Sequence, residues 1–386
     1  MQLSVGIGLL GCGTVGAKVA ERLLHERDAI ERRSGIRYEL RAIAIRNPEK
    51  SRPSTIDARL FTTDARDVVE DPHVDLIIEC IGGTADATEL IEGALDRGRH
   101  VITANKDLLA TQGPRLQALA DIRGVSIRYE AAACGAIPIV RTFGDALAGD
   151  QIVAFGGVVN GTCTAILSAM EHGVTYEDAL ADAQRQGYAE ADPSSDVDGA
   201  DAAHKLALLA QLAFRLAIIS PRVRRNGIAD ITKRDVARAT MLGYRLRLVA
   251  AARRNDRGAL AEVAPVLVPA DHPFAKAIGP ENVVRIVARD AGTLALHGLG
   301  AGGAATASAV LGDVVSSLRV IGERHDLAHR VRAQSLEPAL DVAPLFASLP
   351  HHPELPRYPI WDDSILEAPV SQEVLAVAWP GKDFSS

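Results

Sequence analysis

The sequence predicts an α/β protein of three parts. A doubly wound parallel sheet is expected over 1–140, an α+β unit with a largely antiparallel sheet over 141–322, and a Pro-rich extension over 323–386. Three observations predict this. A buried-type apolar run ends on a glycine-rich turn that opens a helix. Strand-like and helix-like stretches then alternate to about residue 140, the pattern of a parallel sheet with crossover connections. Beyond that point grouped strands and grouped helices replace the alternation.

The first element is LSVGIGLL (3–10), an uninterrupted apolar run that suits a strand buried on both faces. GCGTVG follows at once, and then one helical pattern, AKVAERLLHERDAIERR. A second strand, ELRAIAIR, ends at Arg46. A third, VDLIIECIGG, precedes the helix-like ADATELIEGALDRG, the strand-like HVITAN, a further helix and the strand-like GVSIRYE. The second unit opens on QIVAFGGVV. Helices are expected at 161–172, 175–187 and about 199–214, strands at 243–251, 258–268, 282–288 and 292–298, and a helix near 303–321. The extension holds eight of the 19 prolines and both tryptophans, Trp361 and Trp379. With Phe346, Tyr358 and Phe384 they favour an ordered segment wrapped on the body or on a partner subunit.

At 386 residues the chain has room for two or three domains. A net charge of −7 and an aromatic content of 4% argue against nucleic-acid binding, which needs a basic field and stacking platforms. The four cysteines, 12, 80, 134 and 163, form no CxxC pair and no disulfide framework, so a reducing cytoplasm is the expected home. No signal-peptide pattern and no uncharged apolar stretch of about 18 residues appears, so no membrane span is expected.

Gly11-Cys12-Gly13-Thr14-Val15-Gly16 fits GxGxxG in the context the motif requires, after a strand and opening a helix. Its glycines permit a tight turn and close approach to a pyrophosphate, and the helix N-terminus supplies N–H donors, so a nicotinamide dinucleotide is the expected cofactor. At the end of the second strand an NAD site usually carries Asp or Glu for the ribose 2′-hydroxyl. Here Arg46 stands there, with Lys50 and Arg52 behind it, which favours the 2′-phosphate of NADP over NAD. Thr103 and Lys106 lie at the C-terminal end of a parallel strand, where such sheets bind ligands.

The densest feature is GYAEADPSSDVDGADAAHK (187–205), with five carboxylates in the twelve residues 190–201. It is not a calcium loop: counted from Asp192, position 6 is Val197 instead of glycine. Asp201 and Lys205 share a helix face. On a surface they form a bland ion pair; in a cleft Asp201 orients a lysine that serves as acid or base. His204 reads as structural. Asn160-Gly161-Thr162 follows a strand and either caps the next helix or contacts substrate. GLGAGG (298–303) marks another strand–helix junction, either close to a ligand or simply a tight turn.

Taken together, GLLGCGTVG, VDLIIECIGG, HVITANKDLLA, YEAAACGAIPI, GGVVNGTCTAIL, the 187–205 block, HPFAKAIGPENVV and GAGGAATASAV resemble homoserine dehydrogenase, in order over about residues 5–322. The resemblance implies a Rossmann domain followed by a substrate and dimerisation domain, and a homodimer or larger assembly. It implies reversible NAD(P)-dependent interconversion of L-homoserine and L-aspartate 4-semialdehyde, a step in threonine and methionine biosynthesis. By the same resemblance Glu190 holds the substrate ammonium, Asp196 supports the acidic pocket, and Asp201 and Lys205 flank the reacting hydroxyl. Lys205 is then the proton donor in aldehyde reduction, Lys106 approaches substrate and nicotinamide, and Gly302 contacts the cofactor. Glu130, Ala133, Gly135 and Ile137 match positions that hold a monovalent cation, usually sodium, largely through backbone carbonyls.

The chain departs from the family pattern at several points. Cys163-Thr164 replaces the usual Thr-Asn after NGT, Leu299 and Ala305 replace prolines, and Cys134 and Ala136 replace the usual small pair. The changes at 163–164 leave open a paralogue acting on another small amino-acid alcohol or aldehyde. The Pro-rich extension lacks the βαββαβ pattern of an ACT domain, so ACT-type feedback by threonine is not expected, nor is a fused kinase.

Overall fold

The computed structural model describes residues 4–186, 188–189, 192–218, 220–326, 337–338 and 341–367. The chain divides into two compact units, Met1–Val140 with Ala301–Leu336, and Arg141–Gly300 with Glu337–Ser386.

The first unit is a six-stranded parallel sheet built from β1 (Ser4–Leu10), β2 (Arg37–Ala44), β3 (Phe61–Thr62), β4 (Leu76–Glu79), β5 (His100–Thr103) and β6 (Ile127–Arg128). The strand order β3-β2-β1-β4-β5-β6 is that of the doubly wound dinucleotide fold. It places the reversal of direction at β1/β4, so the segments after these strands face a common crevice. Residues 5–10 of β1 are all buried, as the apolar run requires. The single helix expected after the glycine turn is two, α1 (Thr14–His25) and α2 (Arg27–Ser34), because Glu26 leaves helical geometry at ψ 20°. Gly35, at φ +78°, closes α2 and returns the chain to β2.

The helix Gly303–Asp326 belongs to this first unit, whereas the boundary at 322 groups it with the second. The reason lies in its side chains. Ala307, Val310, Val314 and Leu318 recur at helical spacing and pack with Val19, Ala20 and Leu23 of α1 in one apolar core. By length and composition Gly303–Glu323 is apolar enough to cross a membrane, although Asp313 and Arg319 interrupt it, so no uncharged apolar stretch of about 18 residues is present. That apolarity is spent on the core just described.

The second unit contains a sheet ordered Gly292–Leu299, Glu281–Ala288, β7 (Ile152–Val158), Tyr244–Asn255, Gly258–Pro269 and Asp341–Ala343. The first four of its pairings are antiparallel, and the last is parallel. One face carries the helices that hold the acidic block. The other is covered by the chain after 344, through Leu345, Phe346, Trp361, Ile365 and Leu366. Trp361 lies 5.3 Å from the Phe274 ring and edge-on to Phe346 at 5.9 Å, and donates its indole N–H to Asp363 at 3.0 Å. Gly156 of β7 lets this indole approach, since a Cβ there would stand 3.0 Å from the Trp361 ring. Trp379 and Phe384 lie outside the described residues.

Candidate active site

In the first unit the glycine turn has the shape of a phosphate cradle. Gly11 sits at φ +94°, and a Cβ on it would meet the Cys80 carbonyl oxygen at 2.6 Å. Gly16 packs α1 against the backbone of Gly11, with no room for a side chain. Gly13 differs: nothing lies within 4 Å of where its Cβ would be. It is the N-cap of α1 and offers no side-chain cap, so the first-turn N–H groups of Thr14, Val15 and Gly16 are left to a ligand or water. Open space above a helix N-terminus is what a pyrophosphate needs, and the residues fit a dinucleotide. Gly302, at φ +108°, is also open, and Gly303 lies close against the Thr14 backbone.

Arg46 is exposed just past β2, which ends at Ala44, two residues earlier than expected. Arg52 folds back to donate to the carbonyls of Lys50 (2.7 Å) and Asn47 (2.6 Å) and stacks over Phe61. It therefore braces the loop that presents Arg46.

The ends of β4 and β5 are tied by Glu79, a fully buried carboxylate. It accepts from the backbone N–H of Ile81 (2.8 Å) and Gly82 (3.1 Å), and from the Thr103 hydroxyl at 2.5 Å. Burial pushes its carboxyl above the usual range, and these donors act against that rise. Asn105 caps α5 (Lys106–Arg123) by accepting from Leu108 N–H, while its amide donates to the Gly83 carbonyl at 2.5 Å. The network fixes Gly82 and Gly83, both left-handed and open, beside the start of α5, where Lys106 is the first residue. Sequence reasoning missed Glu79. A lone carboxylate inside an apolar strand was its signal.

Glu130 is 2% exposed; it donates its N–H to Asp313 at 2.9 Å and accepts from Val140 N–H at 2.8 Å. The turn that follows contains buried Ala133 and Ile137 and left-handed Gly135 (φ +58°). Among the described residues no cluster of three or more His, Cys, Asp or Glu side chains suits a metal.

The acidic block gathers in the second unit. Lys205 and Asp201 lie one turn apart on the helix Ala200–Phe214, and Lys205 Nζ sits 2.8 Å from Asp201 Oδ2. Nζ also donates to the Val159 carbonyl at 2.8 Å, at the end of β7. Both side chains are largely buried, 12% and 9% exposed, so the bland surface-pair reading does not hold. Asn160, the next residue, caps the helix Gly161–Glu171 through Cys163 N–H, and its amide donates to Asp196 (2.7 Å) and Asp201 (2.8 Å). Burial raises the Asp196 carboxyl first and the Asp201 charge adds to this, while Asn160 and Thr162 oppose it.

Cys163, one of the departures from the family pattern, is buried beneath this cluster with its thiol on the Asp196 carbonyl at 3.3 Å. Burial also drives its thiol far above the usual range, so it acts as packing and not as a nucleophile. Glu190 lies outside the described residues. The arrangement presents a lysine ammonium, anchored by one carboxylate and one carbonyl, beside a second carboxylate. It can exchange a proton with a hydroxyl and attract a cationic ligand group.

Comparison with known proteins agrees with this chemistry. Residues 11–130 match the family model described as homoserine dehydrogenase, NAD binding domain, and residues 138–315 match that described as homoserine dehydrogenase. A homoserine dehydrogenase of Mycobacterium tuberculosis strain H37Rv is 42% identical over 328 residues, 83% of this chain and 74% of the relative. That of Bacillus subtilis strain 168 is 37% identical, over 82% of this chain and 73% of the relative. Among solved structures, a homoserine dehydrogenase from Thiobacillus denitrificans superposes with a TM-score of 0.83 at 37% identity, covering 90% of this chain and 81% of that one. A hyperthermophilic archaeal homoserine dehydrogenase in complex with NADPH superposes at 0.69 with 25% identity, covering 82% and 98%.

Proposed function

The chain belongs to the homoserine dehydrogenase family, and from that premise we propose how its own residues serve the reaction. The activity is that of an oxidoreductase on a CH–OH group, interconverting L-homoserine and L-aspartate 4-semialdehyde with NAD(P) in amino-acid biosynthesis. The observation that carries the residue assignment is the buried Lys205–Asp201 pair, held at Val159 and Asn160.

Lys205 gives a proton to the aldehyde oxygen in reduction and receives it back in oxidation. Asp201 and the Val159 carbonyl aim the ammonium at that oxygen. Asp196, with Glu190 by resemblance, supplies negative charge for the substrate ammonium. The nicotinamide cofactor supplies the hydride acceptor or donor. Gly11, Gly13 and Gly16 admit its pyrophosphate to the first turn of α1, where Thr14 and Val15 present N–H groups. Thr103, Lys106 and Gly302 complete that side. Glu130, with the turn carbonyls of Ala133, Gly135 and Ile137, suits a monovalent cation better than a transition metal, since oxygen donors prefer hard ions.

The cofactor is NADP in preference to NAD, on the exposed Arg46 where an acidic residue would select NAD. A homodimer is the working assembly, supported by the edge strand Gly292–Leu299 and the exposed Ile278 and Leu299 nearby. Four free thiols suit the cytoplasm.

Arg46→Asp tests the cofactor assignment. Losing a charge-assisted bond to a 2′-phosphate and gaining repulsion should cut kcat/KM for NADP by about 10–100-fold and leave NAD turnover nearly unchanged. An unaltered NADP/NAD ratio would overturn it.

A further inference from the structure

We propose that Asn160 is a positioning residue for catalysis: its amide clamps Asp196 and Asp201 as a carboxylate pair and fixes the oxygen on which Lys205 is held. The inference rests on the assignment of Lys205 and Asp201 to the reacting machinery.

Asn160 is 2% exposed, two residues after β7 and at the N-cap of the helix Gly161–Glu171. Its Oδ1 accepts from Cys163 N–H at 2.8 Å, which is an ordinary helix cap. Ser, Thr or Asp would cap equally well. Asparagine alone joins an acceptor on the helix side to two donors on the other. Those donors go to Asp196 Oδ1 at 2.7 Å and Asp201 Oδ2 at 2.8 Å. The same Asp201 Oδ2 receives Lys205 Nζ at 2.8 Å. One amide therefore sets the position of the atom that holds the ammonium, and the preceding residue, Val159, supplies the other acceptor.

The clamp answers an electrostatic problem. Two buried carboxylates sharing a site repel, and one then retains a proton to higher pH. Hydrogen bonds to the charged forms offset this. The groups facing the pair come from four segments. Lys205 and Asp201 belong to one helix, and Asp198 lies in the turn before it, 3.5 Å from Arg225. Thr162 and Cys163 come from the helix that Asn160 caps, and Tyr176 from the next helix, within reach of Cys163. Lys205 is bonded to Asp201 and its charge also reaches Asp196, while Arg225 is turned to Asp198. The amide adds one hydrogen bond to each carboxylate of the pair without adding charge.

The test uses Asn160→Ser and Asn160→Asp in the full chain. Both keep a capping oxygen and neither supplies two donors; Asp also adds a third carboxylate. Activity is followed as reduction of L-aspartate 4-semialdehyde by NADPH, against pH. In that direction the lysine is the proton donor and only gains protons as pH falls. The acidic limb of kcat therefore reports the carboxylates. The expected result is an acidic limb moved up by about 1–2 pH units in the Ser variant, from the loss of bonds to charged groups, and further in the Asp variant. KM for NADPH should stay near that of the parent, and the Ser variant should remain folded with a somewhat lowered unfolding midpoint, since two buried carboxylates lose a donor. Limbs that coincide with the parent, in folded variants, would reduce Asn160 to a helix cap and overturn the inference. Lys205→Ala is run alongside. If that variant reduces the aldehyde normally, the underlying assignment fails; if it is inactive while the Asn160 profiles match the parent, this inference alone fails.

Discussion

Gly13 and Gly16 make opposite predictions although both belong to the glycine turn. At Gly13 the backbone is extended (φ −86°, ψ −154°), a conformation alanine adopts, and an added Cβ would meet nothing within 4 Å. Gly13→Ala should therefore cost the free protein no more than about 1 kcal/mol, the scale of an altered N-cap. The same methyl would project into the space proposed for the pyrophosphate. Displacing one good phosphate-to-N–H contact costs at least about 1.4 kcal/mol, a tenfold rise in Kd. At Gly16 the Cβ would collide with the Gly11 carbonyl, which is backbone and cannot swing aside. Gly16→Ala should destabilise the first unit by about 1–3 kcal/mol, as overpacking does. The assay pairs cofactor titration by fluorescence with denaturant unfolding. Gly13→Ala should lose affinity with an unchanged midpoint, and Gly16→Ala should lose the midpoint itself. Unaltered NADP affinity in Gly13→Ala would refute the placement of the pyrophosphate over α1.

Two further outcomes follow from the packing. Trp361→Ala empties the contact with Phe274, Phe346 and Gly156 and should cost about 3–5 kcal/mol, read as a lowered unfolding midpoint of the second unit; a change below about 1 kcal/mol would show that the chain after 344 is not part of that core. Glu79→Leu leaves the Ile81 and Gly82 N–H groups and the Thr103 hydroxyl without their acceptor and should destabilise the first unit by about 2–5 kcal/mol, whereas Glu79→Gln keeps an amide oxygen for the N–H pair and should cost less; equal effects of Leu and Gln would contradict the network.

The glycine turn was legible because its determinants are contiguous: strand, turn and helix follow one another within Ser4–His25. Asp201 and Lys205 were legible for the same reason, being one helical turn apart. Their burial was not, because it depends on the segment just after β7, where the Val159 carbonyl lies 46 residues before Lys205. Asn160 read equally well as a cap or a substrate contact. The contacts that decide its role reach residues 36 and 41 positions away. Glu79 disappeared into an apolar run since a strand pattern says nothing about what a single carboxylate accepts. The helix Gly303–Asp326 is legible at its place in the sequence, but the unit it packs in is not. Periodicity gives a helix an apolar face without naming the core that receives it.

If this chain oxidises L-homoserine through proton exchange at Lys205, removing the ammonium must stop turnover. Nicotinamide absorbance at fixed L-homoserine and saturating NADP, for the parent and Lys205→Ala, tests it most directly. The parent should turn over steadily and the variant should lose about 100–10,000-fold in kcat, with NADP binding retained. Turnover by Lys205→Ala within a few-fold of the parent would contradict it.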